Sequence, residues 1–263
     1  MKNPSWNPDQ YLKFGDHRLR PGLELIARIP DIAPARVTDL GCGTGELTQI
    51  LAGRWPTAAV TGLDSSPDML AQCRTLSREI RWMETPVEAW QPPERPDLIF
   101  ANAALHWVAD HAVLFPRLID ILSPKGCLAV QMPLSWPLPS HRLMREVLAD
   151  GGPGGEPLGS QALRRQMDRK WVEDPAFYYD ILRSRTSHLD IWTCEYLQEL
   201  QGEDPVLEWV SGSGLRPVLE GLSPSERKIF LTRYRARLEE AYPRRANGIT
   251  LYPFRRLFMV AIR

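Results

Sequence analysis

Apolar positions along the chain recur at two periods, and the switches between them mark the elements. Leu23, Ile26 and Ala27 recur at helical spacing, which predicts a first helix over Arg20–Ile29 stopped by Pro30. Arg36-Val37-Thr38-Asp39-Leu40 is short and β-like, and runs into a glycine-rich turn, Gly41-Cys42-Gly43-Thr44-Gly45. Helical spacing resumes over Glu46–Arg54, with Leu47, Ile50 and Leu51 on one face. Ala58–Leu63 predicts a second strand ending at Asp64, and Ser66-Pro67 a helix start, since Ser caps well and Pro suits a first turn. Further strands are expected at Glu79–Met83, Leu98–Ala101 (opening into Asn102) and Cys127–Met132, with a helix over Val113–Leu122. Strand and helix thus alternate through the first ~135 residues, the pattern of a parallel, doubly wound α/β sheet.

Past Met132 the rhythm changes. Pro133–Pro139 is proline-rich, a helix is expected over Ser140–Ala149, and Gly151-Gly152-Pro153-Gly154-Gly155 predicts a loop. Pro175–Arg183 is expected to be helical and His188–Leu197 a sixth strand. Residues Pro205–Tyr242 are expected to be helical, with breaks at Gly212-Ser213-Gly214 and Ser223-Pro224. Ile249–Tyr252 and Arg256–Ile262 have the pattern of two closing strand segments.

The glycine turn carries the strongest chemical signal. It follows a strand directly and precedes a helix directly, so it lies at the carboxyl end of the first strand, where open α/β sheets bind ligands. Its spacing is Gly-x-Gly-x-Gly, one residue shorter than the dinucleotide fingerprint. That disfavours a nicotinamide cofactor; a cationic sulfonium cofactor has no phosphate and would instead need a carboxylate near the turn. Asp39 and Glu46 are the carboxylates placed to hold the amine of such a cofactor's amino-acid tail. Asp64, nineteen residues past Gly45 at the end of the second strand, is placed to accept both ribose hydroxyls.

Asp39 to Gly45, Asp64-Ser65-Ser66-Pro67-Asp68-Met69 and Asp97-Leu98-Ile99-Phe100-Ala101-Asn102-Ala103 resemble the motifs of class I S-adenosylmethionine-dependent methyltransferases. The resemblance implies a Rossmann-like seven-stranded sheet, order 3-2-1-4-5-7-6, with the last strand antiparallel. It implies cofactor contacts from Asp39, Gly41, Cys42, Gly43, Gly45, Asp64, Ser65, Met69, Thr85, Asn102 and Ala103. The chain departs from the pattern after the third strand. The position that often holds an acid for the adenine amino group is Pro86, so Thr85, Glu84 or a backbone carbonyl is expected to substitute.

A narrower resemblance spans nearly the whole chain. Trp6-Asn7-Pro8, Tyr11-Leu12, Arg20-Pro21, Val130-Gln131-Met132-Pro133, Tyr178-Tyr179-Asp180, Asp190-Ile191-Trp192 and Gly214-Leu215-Arg216-Pro217 look like the trans-aconitate 2-methyltransferase family. That family methylates one carboxylate of trans-aconitate, giving a monomethyl ester and S-adenosylhomocysteine. The resemblance implies one methyltransferase domain over 1–263, with helical insertions at 133–173 and 198–242 capping the active site.

A carboxylate is already an anion at pH 7, so transfer to it requires no general base. This accords with the absence of an obvious catalytic dyad. His106 is the lone candidate for a catalytic role. The acceptor is expected to be held by Trp6, Tyr11, Arg20, His106, Trp107, Tyr178, Tyr179 and Arg216, with Arg142, Arg145, Arg255 and Arg256 as further cations. Arginine supplies the planar fork for such acids, and 27 of the 32 basic residues are Arg. A phenol, amine or carbon acid is the alternative acceptor; a phenol or carbon acid would make a base such as His106 necessary. Proteins that bind a cofactor without catalysis form a third class, disfavoured by the long insertions.

Lys+Arg and Asp+Glu are both 32, a formal net charge of zero that argues against nucleic acid as the main partner. Cys42, Cys73, Cys127 and Cys194 are too far apart for a metal or redox motif. Met1–Gln10 has no apolar signal region, and no apolar run reaches the ~18–20 residues of a membrane helix. The expectation is a cytoplasmic enzyme.

Overall fold

The computed structural model describes residues 19–76, 79–211 and 214–263. They form two compact units. The first contains 19–76, 79–133, Glu173–Cys194 and Leu257–Arg263; the second contains Leu134–Val172 and 195–256 without 212–213.

In the first unit, helix α1 (Arg20–Arg28) opens with Pro21 in its first turn and buries Leu23, Leu25 and Ile26. Strands β1 (Arg36–Leu40), β2 (Ala59–Asp64), β3 (Arg81–Glu84), β4 (Leu98–Asn102) and β5 (Cys127–Pro133) pair in parallel, with α2 (Glu46–Arg54), α3 (Pro67–Leu76) and α4 (His111–Ile121) among their connections. β1, β4 and β5 are buried almost throughout, as expected for strands covered on both faces. α7 (Pro175–Leu182) follows at Glu173–Cys194, and Tyr178 on it lies fully buried against Phe115 of α4.

β6 (His188–Leu200) and β7 (Thr250–Ile262) complete a seven-stranded sheet in the order β3-β2-β1-β4-β5-β7-β6. Arg263 N–H donates to Gly126 O and Leu134 N–H to Arg255 O, so β7 runs antiparallel to β5. The expected sheet order and the antiparallel last strand are both present. The two closing segments are instead one strand that continues through Pro253. Residues two apart on a strand turn their N–H toward the same neighbour. Pro253 therefore faces past the end of β5, where no ladder bond needs its missing N–H.

In the second unit, α5 (Pro139–Asp150) packs on α10 (Pro224–Ala241), with α6 (Gln161–Met167), α8 (Pro205–Ser211) and α9 (Arg216–Gly221) around them. Its core includes Met144, Val147, Phe230, Tyr234, Tyr252 and Phe254. Three tyrosines hold the start of α5: Ser140 N–H donates to Tyr242 Oη (3.0 Å), Tyr234 Oη–H donates to Ser140 O (2.9 Å), and Ser140 Oγ meets Tyr252 Oη (3.1 Å). α10 starts with a capping box between Ser223 and Glu226. α6, capped by Ser160, was not among the expected helices. No helix of the described residues is long and apolar enough to cross a membrane.

Candidate active site

The register Leu40↔Leu63 sets the ends of β1 and β2 side by side, and the glycine turn and Asp64 follow from them. Gly41 and Cys42 N–H both donate to Leu63 O, at 2.7 and 3.0 Å. Gly41 (φ +71), Gly43 (φ +56) and Gly45 (φ +88) all take the left-handed backbone. A Cβ on Gly41 would stand 2.3 Å from Cβ of Ala104, whereas a Cβ on Gly43 would meet nothing within 4 Å. The turn is therefore packed on one flank and open on the other, as a backbone cradle for a ligand must be. Asp64 spans it: Oδ2 accepts Gly43 N–H and Oδ1 accepts Ser66 N–H, both at 2.9 Å.

Asp39, one residue before the end of β1, is buried, and its Oδ2 accepts the Thr48 hydroxyl at 2.6 Å. Burial pushes its carboxyl up to about 7; the Thr48 bond opposes this and the Asp64 charge adds to it. Glu46, the other expected carboxylate, accepts from the Thr44 hydroxyl at the exposed start of α2.

β4 closes on Asn102, whose Oδ1 is buried without a hydrogen-bond partner. A Cβ on Gly22 of α1 would lie 3.2 Å from Asn102 Cγ, so α1 crowds this strand end. Ala103 follows at φ +52, held by its N–H to Gln131 O at 2.9 Å. A left-handed alanine is a strained residue, and it stands next to Ala104, which abuts Gly41. Thr85 N–H donates to Asp64 O and its hydroxyl to Glu84 O, at 3.0 and 2.7 Å. Ser65 directly follows β2, and Met69 lies exposed on α3. Arg117 donates to the carbonyls of Val87 and Trp90, 2.8 Å each, and so fixes the turn beyond Pro86.

Cys42 is buried. Its side chain packs into a small cluster with Leu70, Cys73 and Trp82. Cys73 Sγ–H donates to Gly43 O at 3.1 Å. The Trp82 ring fills the space where a Cβ on Gly62 (2.4 Å) or Gly45 (2.9 Å) would stand. Thr48, Cys73 and Trp82 were not among the expected site residues. A glycine inside a strand, Gly62, was the signal that a bulky neighbour approaches its backbone.

The residues expected to hold an acceptor fare differently. Trp6 and Tyr11 lie outside the described residues. In the first unit, His106 and Trp107 form a 3₁₀ turn just past β4, their rings 4.6 Å apart, with Trp107 exposed. Arg20 is exposed and pairs with Glu24 at 2.8 Å, and Tyr179 is exposed. Tyr178 is fully buried, its hydroxyl 2.7 Å from His111 Nδ1 and accepting Glu173 N–H at 3.1 Å. It belongs to the packing between α4 and α7.

In the second unit, Arg216 is exposed beside Glu220 and Arg255 pairs with Glu195 at 3.4 Å. Two other arginines make local packing contacts. Arg145 stands over the Trp136 ring at 3.6 Å and donates to the carbonyls of Trp136 and His141. Arg256 is buried over Phe254, and burial lowers its guanidinium to about 10. Arg142 pairs with Glu146. Exposed i,i+4 pairs such as Arg20–Glu24 contribute only ~0.3–0.5 kcal/mol. The four cysteines are free thiols, and among the described residues no group of His, Cys, Asp or Glu could hold a metal.

Residues 37–126, which contain the glycine turn, Asp64 and Asn102, match the family model of a methyltransferase domain. The trans-aconitate 2-methyltransferase of Azoarcus sp. (strain BH72) is 44% identical over 261 residues, covering 99% of this chain and all of that protein. The chain belongs to the trans-aconitate 2-methyltransferase family. The Pseudomonas aeruginosa member is 45% identical over 260 residues, 97% of this chain and 93% of its own. Membership thus extends over both units, well beyond the 37–126 match. The fold also resembles the YcgJ protein of Bacillus subtilis, with TM-score 0.57 at 15% identity over 94% of this chain and 99% of that one.

Proposed function

We propose that the chain transfers a methyl group from S-adenosylmethionine to a carboxylate of trans-aconitate, giving the monomethyl ester and S-adenosylhomocysteine. One observation carries the acceptor: 44% identity to a trans-aconitate 2-methyltransferase along 99% of the chain, the second unit included.

The residues present fit the cofactor. The open flank at Gly43 lets backbone approach a ligand closely, Asp64 stands at the strand end with carboxylate oxygens for ribose hydroxyls, and Asp39 offers a buried acid to an ammonium group. Asn102 Oδ1 is a buried acceptor in need of a donor. Ser65, Met69 and Thr85 complete the proposed set on the adenosine side. When bound, S-adenosylmethionine supplies a methyl group on a cationic sulfur with a neutral leaving group.

The chain's own task is then binding and orientation. The acceptor carboxylate arrives ionised, so His106 has no proton to take and serves with Trp107 to line the site and exclude water. Arginines that gripped the reacting carboxylate tightly would stabilise the ground state most, because the charge there is neutralised during transfer. Arg20 is therefore assigned to a carboxylate that does not react, with Tyr179, Trp6 and Tyr11 as further contacts. A part for the helical segments 133–173 and 198–242 in acceptor binding belongs to the same proposal. So does work in the cytoplasm on a small acid rather than on nucleic acid or membrane.

The test is incubation with methyl-labelled S-adenosylmethionine and trans-aconitate, cis-aconitate, citrate or isocitrate. Base-labile label on trans-aconitate well above the others is the expected result. Cofactor binding with no label on any of these acids overturns the acceptor.

A further inference from the structure

We propose that Thr48 is a positioning residue for the cofactor's amino-acid tail, acting through Asp39: its hydroxyl fixes the carboxyl group and favours the carboxylate that an ammonium ion needs. The inference rests on the cofactor reading above.

Thr48 lies on α2 and is fully buried. A threonine inside a helix commonly turns its hydroxyl back to a carbonyl of its own helix. Here the hydroxyl instead leaves the helix and donates to Asp39 Oδ2 at 2.6 Å, a charge-assisted bond when Asp39 is ionised. Among the described residues, the Thr48 hydroxyl from α2 and the Asp64 charge from β2 act on the Asp39 carboxyl, and its own charge acts on the Cys42 thiol of the turn. Burial and the Asp64 charge both favour the protonated acid, and Thr48 opposes them. The balance leaves Asp39 with a pKa of about 7, so in the free protein it is a mixture of acid and carboxylate near neutrality.

An arriving ammonium group adds the missing cation and selects the carboxylate. The carboxyl proton then leaves to solvent, and binding of the amino-acid tail releases up to one proton. Affinity for S-adenosylhomocysteine should therefore rise with pH and level off above 7. It should be about tenfold weaker at pH 6 than at pH 8, because each pH unit below the free pKa removes a factor of ten in competent protein. Removing the Thr48 bond raises the free pKa, and the rise should move about one pH unit alkaline.

The experiment is calorimetric titration with S-adenosylhomocysteine from pH 5.5 to 8.5, using wild type, Thr48→Val and Thr48→Ser. Val keeps the shape and branching of Thr without the hydroxyl, and Ser restores the hydroxyl. The expected result is an alkaline shift in Thr48→Val, with affinity approaching wild type at the high end, and a wild-type profile in Thr48→Ser. A Thr48→Val curve that overlays wild type, or that falls equally at every pH, overturns the proposal. Should Thr48→Val not fold, titration of wild type at pH 6.5 in buffers of different ionisation enthalpy decides: binding with no net proton release also overturns it. Wild type that binds no S-adenosylhomocysteine sinks the cofactor reading and this inference with it.

Discussion

Asp64 Oδ2 accepts the backbone N–H of Gly43 at 2.9 Å, which ties the end of β2 to the middle of the glycine turn. Its other oxygen accepts Ser66 N–H, so one carboxylate braces the cradle and the start of α3 together. Each oxygen has lone pairs left over for hydroxyl donors. Asp64→Ala removes both the brace and the ribose acceptor. Loss of one or two charge-assisted bonds amounts to about 2–3 kcal/mol of binding, roughly 30–150-fold in affinity. Titration with S-adenosylhomocysteine checks this; affinity within threefold of wild type would remove Asp64 from the site.

Gly41 and Gly43 separate conformational strain from collision. Gly43→Ala meets open space and should bear only the left-handed backbone penalty, about 1–2 kcal/mol. Gly41→Ala bears the same penalty and also drives a methyl to within 2.3 Å of Ala104 Cβ. Thermal denaturation without ligand should rank Gly41→Ala clearly below Gly43→Ala. The ranking for S-adenosylhomocysteine affinity can differ, because the Gly43 methyl enters the open flank.

What could be read ahead of the structure follows from how local each cause is. The glycine turn and Asp64 were legible because positive φ and a strand-end carboxylate are written in adjacent residues. α6 was not, since it has seven residues with Leu163 alone buried, too little periodicity to see. The unity of β7 was hidden by Pro253, whose tolerance depends on where β5 stops. Thr48 was invisible for a similar reason: its role depends on a partner nine positions away on another element. Tyr178 and Tyr179 are adjacent and chemically alike, yet one is fully buried and the other exposed. Which face of α7 turns inward is decided by packing against His111 and Phe115 of α4.

Tyr178→Phe isolates that packing role. The change withdraws a hydroxyl that meets His111 Nδ1 and accepts Glu173 N–H inside the first unit. A lost partner for buried polar groups costs about 1–3 kcal/mol. Denaturant unfolding should register that loss while KM for the acceptor stays within twofold of wild type. A large KM effect at unchanged stability would return Tyr178 to the acceptor site.

Asp39 also ties stability to pH, and the sign follows from its raised pKa of about 7. Unfolded, the carboxyl ionises near 4; folded and without ligand, it keeps its proton until about 7. Between those values the native state binds more protons than the unfolded state, so this group's contribution to stability falls as pH rises. Below the unfolded value both states are protonated, and the contribution is fully present. Across the window the loss is on the order of 4 kcal/mol for one group shifted by about three pH units. Asp39→Asn stays neutral throughout and can still accept the Thr48 hydroxyl. Without ligand, the variant should therefore unfold close to wild type at pH 4 and at clearly higher denaturant at pH 8, yet bind S-adenosylhomocysteine more weakly. An equal gap between the two proteins at both pH values would show that Asp39 is ionised in the free fold.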